Sequence, residues 1–354
     1  MSHQYAIDVL SEDGRVLEHA LIHPDWGAAL DWTHFDGLRA GTLPAVTRTG
    51  PGSVEPVWDG RAGAPYVSGF RVTVRAGEHH VVREIPKTYL ARTAHEISAE
   101  LAERHHLEPG TVLRWIPSAV PVDETTPPDT SSGVDVEEVA QPLPITPSSL
   151  VDFVTDSTLH DAGDLARSPV PVFVPASVLE QVTALTRRAG EVETGGVLIG
   201  KLHRDLVQPD AGIGDLFVEI TAQVPAVHTV ATATTLTFTA ETWAAVRDAL
   251  AHRGHPDELL AGWWHSHQDL CLLRGCPLER RRSCAGSRPF FSAEDVHLHT
   301  TCFPGGHQVG LLVSESTVTG RLTPSLFGWS EGIVVAREFY VRKKGSRYAE
   351  SIAT

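Results

Sequence analysis

Hydrophobic and polar positions in the second half of the chain switch between two periods. Short apolar runs bounded by glycine or polar residues predict strands, and apolar positions at helical spacing predict helices. The predicted strands cover 194–202, 215–224, 235–238, 258–267, 309–314 and 332–344. The predicted helices cover 175–190, 239–254 and 292–302. This alternation predicts a mixed α/β (α+β) domain in which helices pack on a sheet.

The first part of the chain gives a weaker pattern. Alternation around a glycine turn predicts a β-hairpin at 70–85, and it is followed by a helix-like 88–106 and a strand-like 109–115. This order suits a small α+β module, including one of the β-grasp type. The histidine pairs at 79–80 and 105–106 are interpreted as solvent-exposed, because no nearby Cys, Asp or Glu spacing completes a ligand set.

A segment of different composition separates these two parts. Residues 119–149 are rich in Pro, Thr, Ser and acidic residues and show no apolar periodicity. Such a composition buries too little surface to offset the entropy of ordering, so we predict a linker. It divides an N-terminal domain (1–118) from a C-terminal domain (150–354). Two domains also fit a length of 354 residues, at roughly 150 residues per domain.

Composition and charge narrow the function classes. The net charge of −15 argues against nucleic acid as a partner, because that binding needs clustered Lys and Arg. No apolar run approaches the roughly 18 residues of a membrane span. The first residues lack the basic and apolar regions of a secretory signal. We therefore expect a cytoplasmic protein that binds neither nucleic acid nor membrane.

Two histidines end the apolar run LLAGWWHSH at 259–267. Side chains on a strand alternate between faces, so His265 and His267 point to the same side and can reach one metal ion. The pattern His-x-His alone is weak evidence for a metal site. The other interpretation is that these residues are a polar strand end that faces solvent.

The stretch FFSAED (290–295) offers a third ligand, Asp295. Catalytic zinc commonly takes three protein ligands and leaves one position for water. The same residues also match the pattern of a capping box, in which Ser292 would be the N-cap of a helix. Both interpretations can hold together, because a capped helix start would fix Asp295 firmly enough to bind metal.

A general base is the remaining requirement for hydrolysis. Glu193 lies in EVETGGVLIGK (191–201), just before a Gly-Gly pair and an apolar strand. A carboxylate there could take a proton from an attacking water and pass it to a leaving amine. Taken alone, a glutamate at a strand entrance is usually a surface residue.

The order Glu, His-x-His, Ser-x-x-Asp resembles the JAMM family of metalloproteases, also called JAB or MPN-plus. The resemblance covers the C-terminal domain only and implies a JAB/MPN-like mixed sheet flanked by helices. It implies that His265, His267 and Asp295 bind a catalytic Zn²⁺, that Glu193 is the general acid/base and that Ser292 stabilises the oxyanion. The implied reaction is hydrolysis of the amide bond at the C-terminus of a ubiquitin-like protein, in deconjugation or precursor processing.

The composition, rich in Ala, Gly, Val, Arg and Thr with few Lys, resembles that of a high-GC bacterium. Bacterial members of the family occur beside ubiquitin-like conjugation genes, some in antiviral defence, and in sulfur-carrier pathways. The resemblance therefore implies a ubiquitin-like substrate and activating and conjugating partners (E1-like and E2-like), with the N-terminal domain as a recruiting module. The alternatives are a peptidase that processes a sulfur carrier and a catalytically inactive MPN-type scaffold. A scaffold has no need for Glu193, the two ligand histidines and Asp295 together, so the presence of all four residues favours an enzyme.

The sequence departs from the family pattern after the second histidine. Gln268 stands where the family has proline, and we expect this to loosen the turn. An insertion of 24 residues, 268–291, then precedes Ser292.

All cysteines of the chain lie in or near this insertion. Their clustering suits a local metal site better than a disulfide framework. Two interpretations remain open: a second, structural zinc site, or thiols without metal in a reducing cytosol. The residues concerned are Cys271, Cys276, Cys284 and Cys302.

Overall fold

The computed structural model describes residues 2–59, 65–108, 111–122, 139–160, 170–190, 192–206, 215–226, 229–231, 236–268, 271, 275–277, 279, 289–315 and 321–343. The chain divides into two compact units. The first comprises Met1–Gly37, Thr42–Gln141 and Glu331–Ile333, and the second comprises Leu38–Gly41, Pro142–Ser330 and Val334–Thr354. None of the helices in the described ranges is long and apolar enough to cross a membrane.

The N-terminal unit contains two antiparallel three-stranded sheets, in the orders β2-β1-β6 and β3-β4-β5. The strands are β1 (Ser2–Leu10), β2 (Val16–Ile22), β3 (Ser53–Trp58), β4 (Val67–Ala76), β5 (His79–Pro86) and β6 (Arg114–Val122). The helices are α1 (Gly27–Arg39) and α2 (Ala91–Arg104), and a 3-10 turn at Lys87–Leu90 precedes α2.

Sequence reasoning placed the hairpin correctly in this unit but misplaced the last strand. The predicted strand at 109–115 is observed at Arg114–Val122, because β6 pairs with β1 along its whole length. The hairpin β4–β5 and strand β6 lie in different sheets. This arrangement differs from a β-grasp module, in which one sheet holds them together.

The two ends of the predicted linker at 119–149 lie in strands. Residues 119–122 belong to β6, and Ile145–Ser148 forms β7, which pairs in parallel with a strand of the second unit. Backbone hydrogen bonds to distant partners stabilise these ends, and composition does not show such partners. Residues 123–138 of the predicted linker lie outside the described residues.

The C-terminal unit is built on one large mixed sheet in the order β17-β16-β15-β14-β10-β11-β9-β18-β8, with β7 also paired to β10. Beyond β7, the strands of this sheet are β8 (Ser157–His160), β9 (Val172–Pro175), β10 (Gly195–Asp205), β11 (Leu216–Pro225), β14 (Leu259–His267), β15 (Val309–Glu315), β16 (Leu322–Ser330), β17 (Ile333–Arg337) and β18 (Phe339–Arg342). Strands β12 (Thr229–Ala231) and β13 (Leu236–Phe238) pair with each other in a separate antiparallel sheet. The helices are α3 (Leu150–Thr155), α4 (Ala176–Ala189), α5 (Ala240–Arg253) and α6 (Ala293–Cys302). The α/β (α+β) prediction is confirmed.

Strand β14, which carries His265 and His267, lies in the middle of this sheet and contributes to the hydrophobic core. Strand β14 lies between β10, which is antiparallel to it, and β15, which is parallel. Val197 of β10 and Trp263 of β14 are fully buried. Side chains of α5 and α6 pack over both residues. Because helices cover strand β14, its residues are apolar in an unbroken run up to the last three residues of the strand.

One strand prediction in this unit was wrong, and strands β7, β8, β9, β12 and β16 were not predicted. The predicted strand 332–344 is two strands, β17 and β18, interrupted at Glu338 where the chain changes neighbours from β16 to β8 and β9. Strand β16 was not predicted, because Pro324 lies within it and the apolar residues are confined to its second half. Tertiary pairing overrides the local pattern in both places.

A β-bulge in β14 sets the direction of the histidine side chains. Leu198 pairs with Gly262 whereas Ile199 pairs with Leu260, so Ala261 is an extra residue. Gly262 has φ 147°, and a Cβ at this position would lie 1.8 Å from the carbonyl oxygen of Val309. Only glycine fits here. Because the period of side chains on a strand is two, this extra residue decides which face receives the residues that follow.

Replacing Gly262 with Ala should therefore lower the free energy of unfolding by about 2–4 kcal/mol, because it forces the β14–β15 pair apart. The control is Gly254→Ala. Gly254 ends α5 with φ 66° but has no heavy atom within 4 Å of an added Cβ, and we expect a loss of about 1 kcal/mol. Urea unfolding measures both, and equal losses would show that the close approach to Val309 does not matter.

Candidate active site

His265 and His267 lie at the end of β14 and point to the same side of the sheet. Their Nε2 atoms are 3.0 Å apart. His265 is fully buried, and the His267 side chain is 12% exposed. The two rings therefore present their nitrogens to one point at the rim of the core, where an ion could reach them from solvent.

Asp295 completes the cluster from the first turn of α6. Its Oδ1 lies 3.1 Å from Nε2 of His265, and its Oδ2 lies 3.1 Å from Nε2 of His267. Ser292 caps the helix: its Oγ accepts a hydrogen bond from the Asp295 N–H, and its own N–H donates to Asp295 Oδ2 at 2.7 Å. The capping-box interpretation is confirmed, and the same cap holds Asp295 beside the histidines.

The donor set fits zinc. Among the described residues, these three side chains form the one group of His, Cys, Asp or Glu close enough to share an ion, with ligand atoms within 4.8 Å of one another. Zinc–nitrogen and zinc–oxygen bonds of about 2.0–2.2 Å place tetrahedral ligands roughly 3.3 Å apart. The observed separations near 3.1 Å need only a small opening.

The protonation states of His265 and Asp295 also favour the binding of a cation. Burial lowers the pKa of His265 although the neighbouring Asp295 opposes this, so the ring is neutral and has a lone pair to offer. Burial alone would raise the pKa of Asp295, but hydrogen bonds from His265 and His267 outweigh it and lower that pKa, so the carboxylate is ionised.

Trp263 and His299 connect the two elements that carry the candidate ligands. The indole of Trp263 stacks on the ring of His265, with centroids 4.4 Å apart and planes 10° apart. Its Nε1 donates a hydrogen bond to Nδ1 of His299 at 3.0 Å. His299 is buried one turn after Asp295 on α6. Sequence reasoning missed this pair, although strand spacing from His265 and helical spacing from Asp295 place both residues on the site faces.

The stacking on Trp263 also orients the His265 ring. Nδ1 of His265 is buried and has no hydrogen-bond partner in the part of the chain that the structure describes. Metal-binding histidines usually donate this second N–H to an oxygen. Here the flat contact with the indole holds the ring instead.

Glu193 lies immediately before β10 and beside the cluster. Gly195 pairs with His265 across the two strands, and the Glu193 side chain is buried. Burial raises the pKa of Glu193 to about 7, the negative charge of Asp295 adds to this, and His267 opposes it. The carboxyl group can therefore both accept and donate a proton near neutral pH, as a general acid/base must.

Residues 167–288 match the family model described as JAB1/Mov34/MPN/PAD-1 ubiquitin protease. The C-terminal region carries a JAB/MPN domain. The matched residues include Glu193, His265 and His267 and end just before Ser292. A comparison with curated proteins gave no match. Among solved structures, the solution structure of a protein from Desulfitobacterium hafniense is 16% identical and covers 49% of this chain and 94% of its own, with a TM-score of 0.33.

The predicted cysteine site of this JAB/MPN domain is not assembled in the described residues. Cys271 is buried, Cys276 and Cys302 are partly buried, and no disulfide joins them. The three do not lie close enough together to share an ion, and Cys284 lies outside the described residues. Burial raises the pKa of the Cys302 thiol, which packs against the apolar core beneath α5 and α6.

Removing the Glu193 carboxyl should stabilise the metal-free protein in a pH-dependent way. Since the pKa is raised from 4.5 to about 7 in the folded state, the stability that the protonated group contributes is present below pH 4.5 and lost as pH rises through 7. We expect Glu193→Gln to match the parent near pH 4.5 and to exceed it by about 2–3 kcal/mol at pH 8. Urea unfolding at both pH values measures this, with Glu294→Gln on the exposed face of α6 as control. An equal gain at both pH values would contradict the raised pKa.

Proposed function

We propose that the JAB/MPN domain is a zinc-dependent isopeptidase or peptidase that cleaves the amide bond at the C-terminus of a ubiquitin-like protein. The observation that carries the proposal is the convergence of His265, His267 and Asp295 on one point, with the buried carboxyl of Glu193 beside them. The matched family model is itself described as a ubiquitin protease, which supports the substrate class.

The residues divide the chemistry among them. His265, His267 and Asp295 would hold the zinc, which when bound polarises a carbonyl group and acidifies water. Glu193 takes the proton of the attacking water and delivers it to the nitrogen of the leaving amine. Ser292 caps α6 through its oxygen lone pair, which leaves its hydroxyl hydrogen to donate to the developing oxyanion.

The proposal includes a cellular setting. The ubiquitin-like substrate, together with E1-like and E2-like enzymes, would belong to a bacterial conjugation system in the cytoplasm, of the kind found in antiviral defence. The N-terminal unit would recruit the conjugate. A sulfur-carrier peptidase would use the same residues on a different tail. An inactive scaffold would have no use for a buried carboxyl with a pKa near 7, and this favours the enzyme.

Metal binding tests the ligand assignment. The parent protein should bind one zinc per chain, while His267→Ala and Asp295→Ala should each lower the zinc affinity by more than about 100-fold, because they leave only two ligands. His255→Ala, which removes an exposed histidine, is the control and should bind like the parent. Competition with a chromogenic chelator measures the affinities. Unchanged affinity in both ligand variants would remove the zinc site.

Catalysis tests the role of Glu193. Glu193→Gln should lower kcat by about 10²–10⁴-fold, because the water loses its base, and it should still bind one zinc because Glu193 is not a ligand. The assay is release of a fluorogenic amine from the C-terminus of a panel of bacterial ubiquitin-like proteins. If Glu193→Gln cleaves as fast as the parent, the proposed mechanism is wrong. Loss of zinc in this variant would mean that Glu193 is a ligand.

A further inference from the structure

We propose that β14 holds the general base as well as the metal ligands, with Ser266 and Gln268 as positioning residues for the segment that carries Glu193. The inference rests on the proposed function. Residues of a strand alternate between faces, so Ser266 lies on the side of β14 opposite His265 and His267. Gln268 is the first residue after the strand. One strand would thus fix both halves of the catalytic machinery.

Ser266 engages the residue that follows Glu193. Its hydroxyl oxygen accepts a hydrogen bond from the backbone N–H of Thr194 at 3.0 Å. Its own backbone N–H donates to the carbonyl oxygen of Thr194 at 2.8 Å. Ser266 is fully buried. Both backbone polar groups of Thr194 are therefore satisfied by a single residue that lies between the two histidines.

Gln268 engages the other end of the same segment. Its Nε2 donates to the carbonyl oxygen of Gly190 at 2.8 Å. Gly190 ends α4 with φ 65°, and β10 begins at Gly195, so Glu193 lies between the two elements. The predicted loosening of the turn after β14 stays a prediction, because that turn continues into residues outside the described ranges. A proline has no side-chain donor and could not make this contact, so the departure from the family pattern adds a connection.

These two contacts restrain Gly190 and Thr194, which lie on either side of Glu193. The Val192 N–H also donates to the carbonyl oxygen of Ala189, but at 3.5 Å this is a long hydrogen bond. Loss of the two contacts would therefore leave the Glu193 carboxyl freer to move away from the cluster. Because the restraints come from Ser266, between the two histidines, and from Gln268, directly after His267, the distance from the base to the ligands depends on the end of one strand. A general base misplaced by about 1 Å can lose roughly 10²-fold in rate.

Four variants test the inference. Ser266→Ala removes the acceptor for Thr194, and Ser266→Thr restores a hydroxyl. Gln268→Met keeps the length of the side chain but removes the donor. Gln181→Met is the matched control, since Gln181 is an exposed glutamine of α4 that bonds another side chain, Gln223.

The variants are compared by kcat and KM on the fluorogenic substrates, by zinc stoichiometry, and by amide hydrogen exchange of the metal-free protein. We expect Ser266→Ala to lower kcat by about 10–100-fold and Gln268→Met by about 2–10-fold, with KM within about twofold of the parent. Both should retain one zinc. The Thr194 amide should exchange at least about tenfold faster in Ser266→Ala. Ser266→Thr should recover most of the rate, and Gln181→Met should match the parent.

Two results would overturn the inference. Parent-like kcat in both Ser266→Ala and Gln268→Met, with unchanged exchange of Thr194, would show that the contacts do not position the base. Loss of zinc in Ser266→Ala would show that Ser266 acts on the ligands. Failure of the proposed function is distinguishable, because it would appear as full activity in Glu193→Gln, whereas the exchange measurement in metal-free protein does not depend on catalysis.

Discussion

The antiparallel pairing of β10 with β14 is the constraint on which the rest of the site depends. It places Gly195 opposite His265 and so brings the entrance of β10, with Glu193, beside the two histidines. The bulge at Gly262 lies in the same pair of strands and determines the face on which His265 and His267 emerge. A shift of one residue would send both imidazoles to the opposite face.

Three sets of hydrogen bonds stabilise the polar cluster of His265, His267, Asp295 and Glu193 at the end of strand β14 in a buried sheet. The cap at Ser292 satisfies backbone groups of α6 and aims the Asp295 carboxylate. The Trp263–His299 hydrogen bond fastens that helix to the histidine strand. Ser266 satisfies the backbone beside Glu193. Together they hold the Glu193 carboxyl group, whose pKa burial raises to about 7. A buried carboxyl group of this kind lowers the stability of the protein at neutral pH, but it is suited to proton transfer.

Prediction from sequence was most accurate where the pattern is local and strong. The helix ending at Gly190, the strand LLAGWWHSH and the capped helix at 292–302 were placed within one or two residues. The elements that were not predicted are strands β1, β2, β3, β7, β8, β9, β12 and β16 and helices α1 and α3. Strands β2 and β3 are largely exposed or half-buried, so the local pattern of apolar residues marks them only weakly.

The sequence by itself determined that His265 and His267 share one side of their strand and that Ser292 can cap the helix of Asp295, because both follow from the repeat of a single element. Only the tertiary structure decided that Glu193 is buried, that Trp263 reaches His299, and that Gln268 reaches Gly190. Each of these depends on elements that meet only after the sheet has formed. The cysteines illustrate the same limit. The Cys276 N–H donates to the carbonyl oxygen of Cys271, but the three described cysteines do not lie close enough together to share an ion.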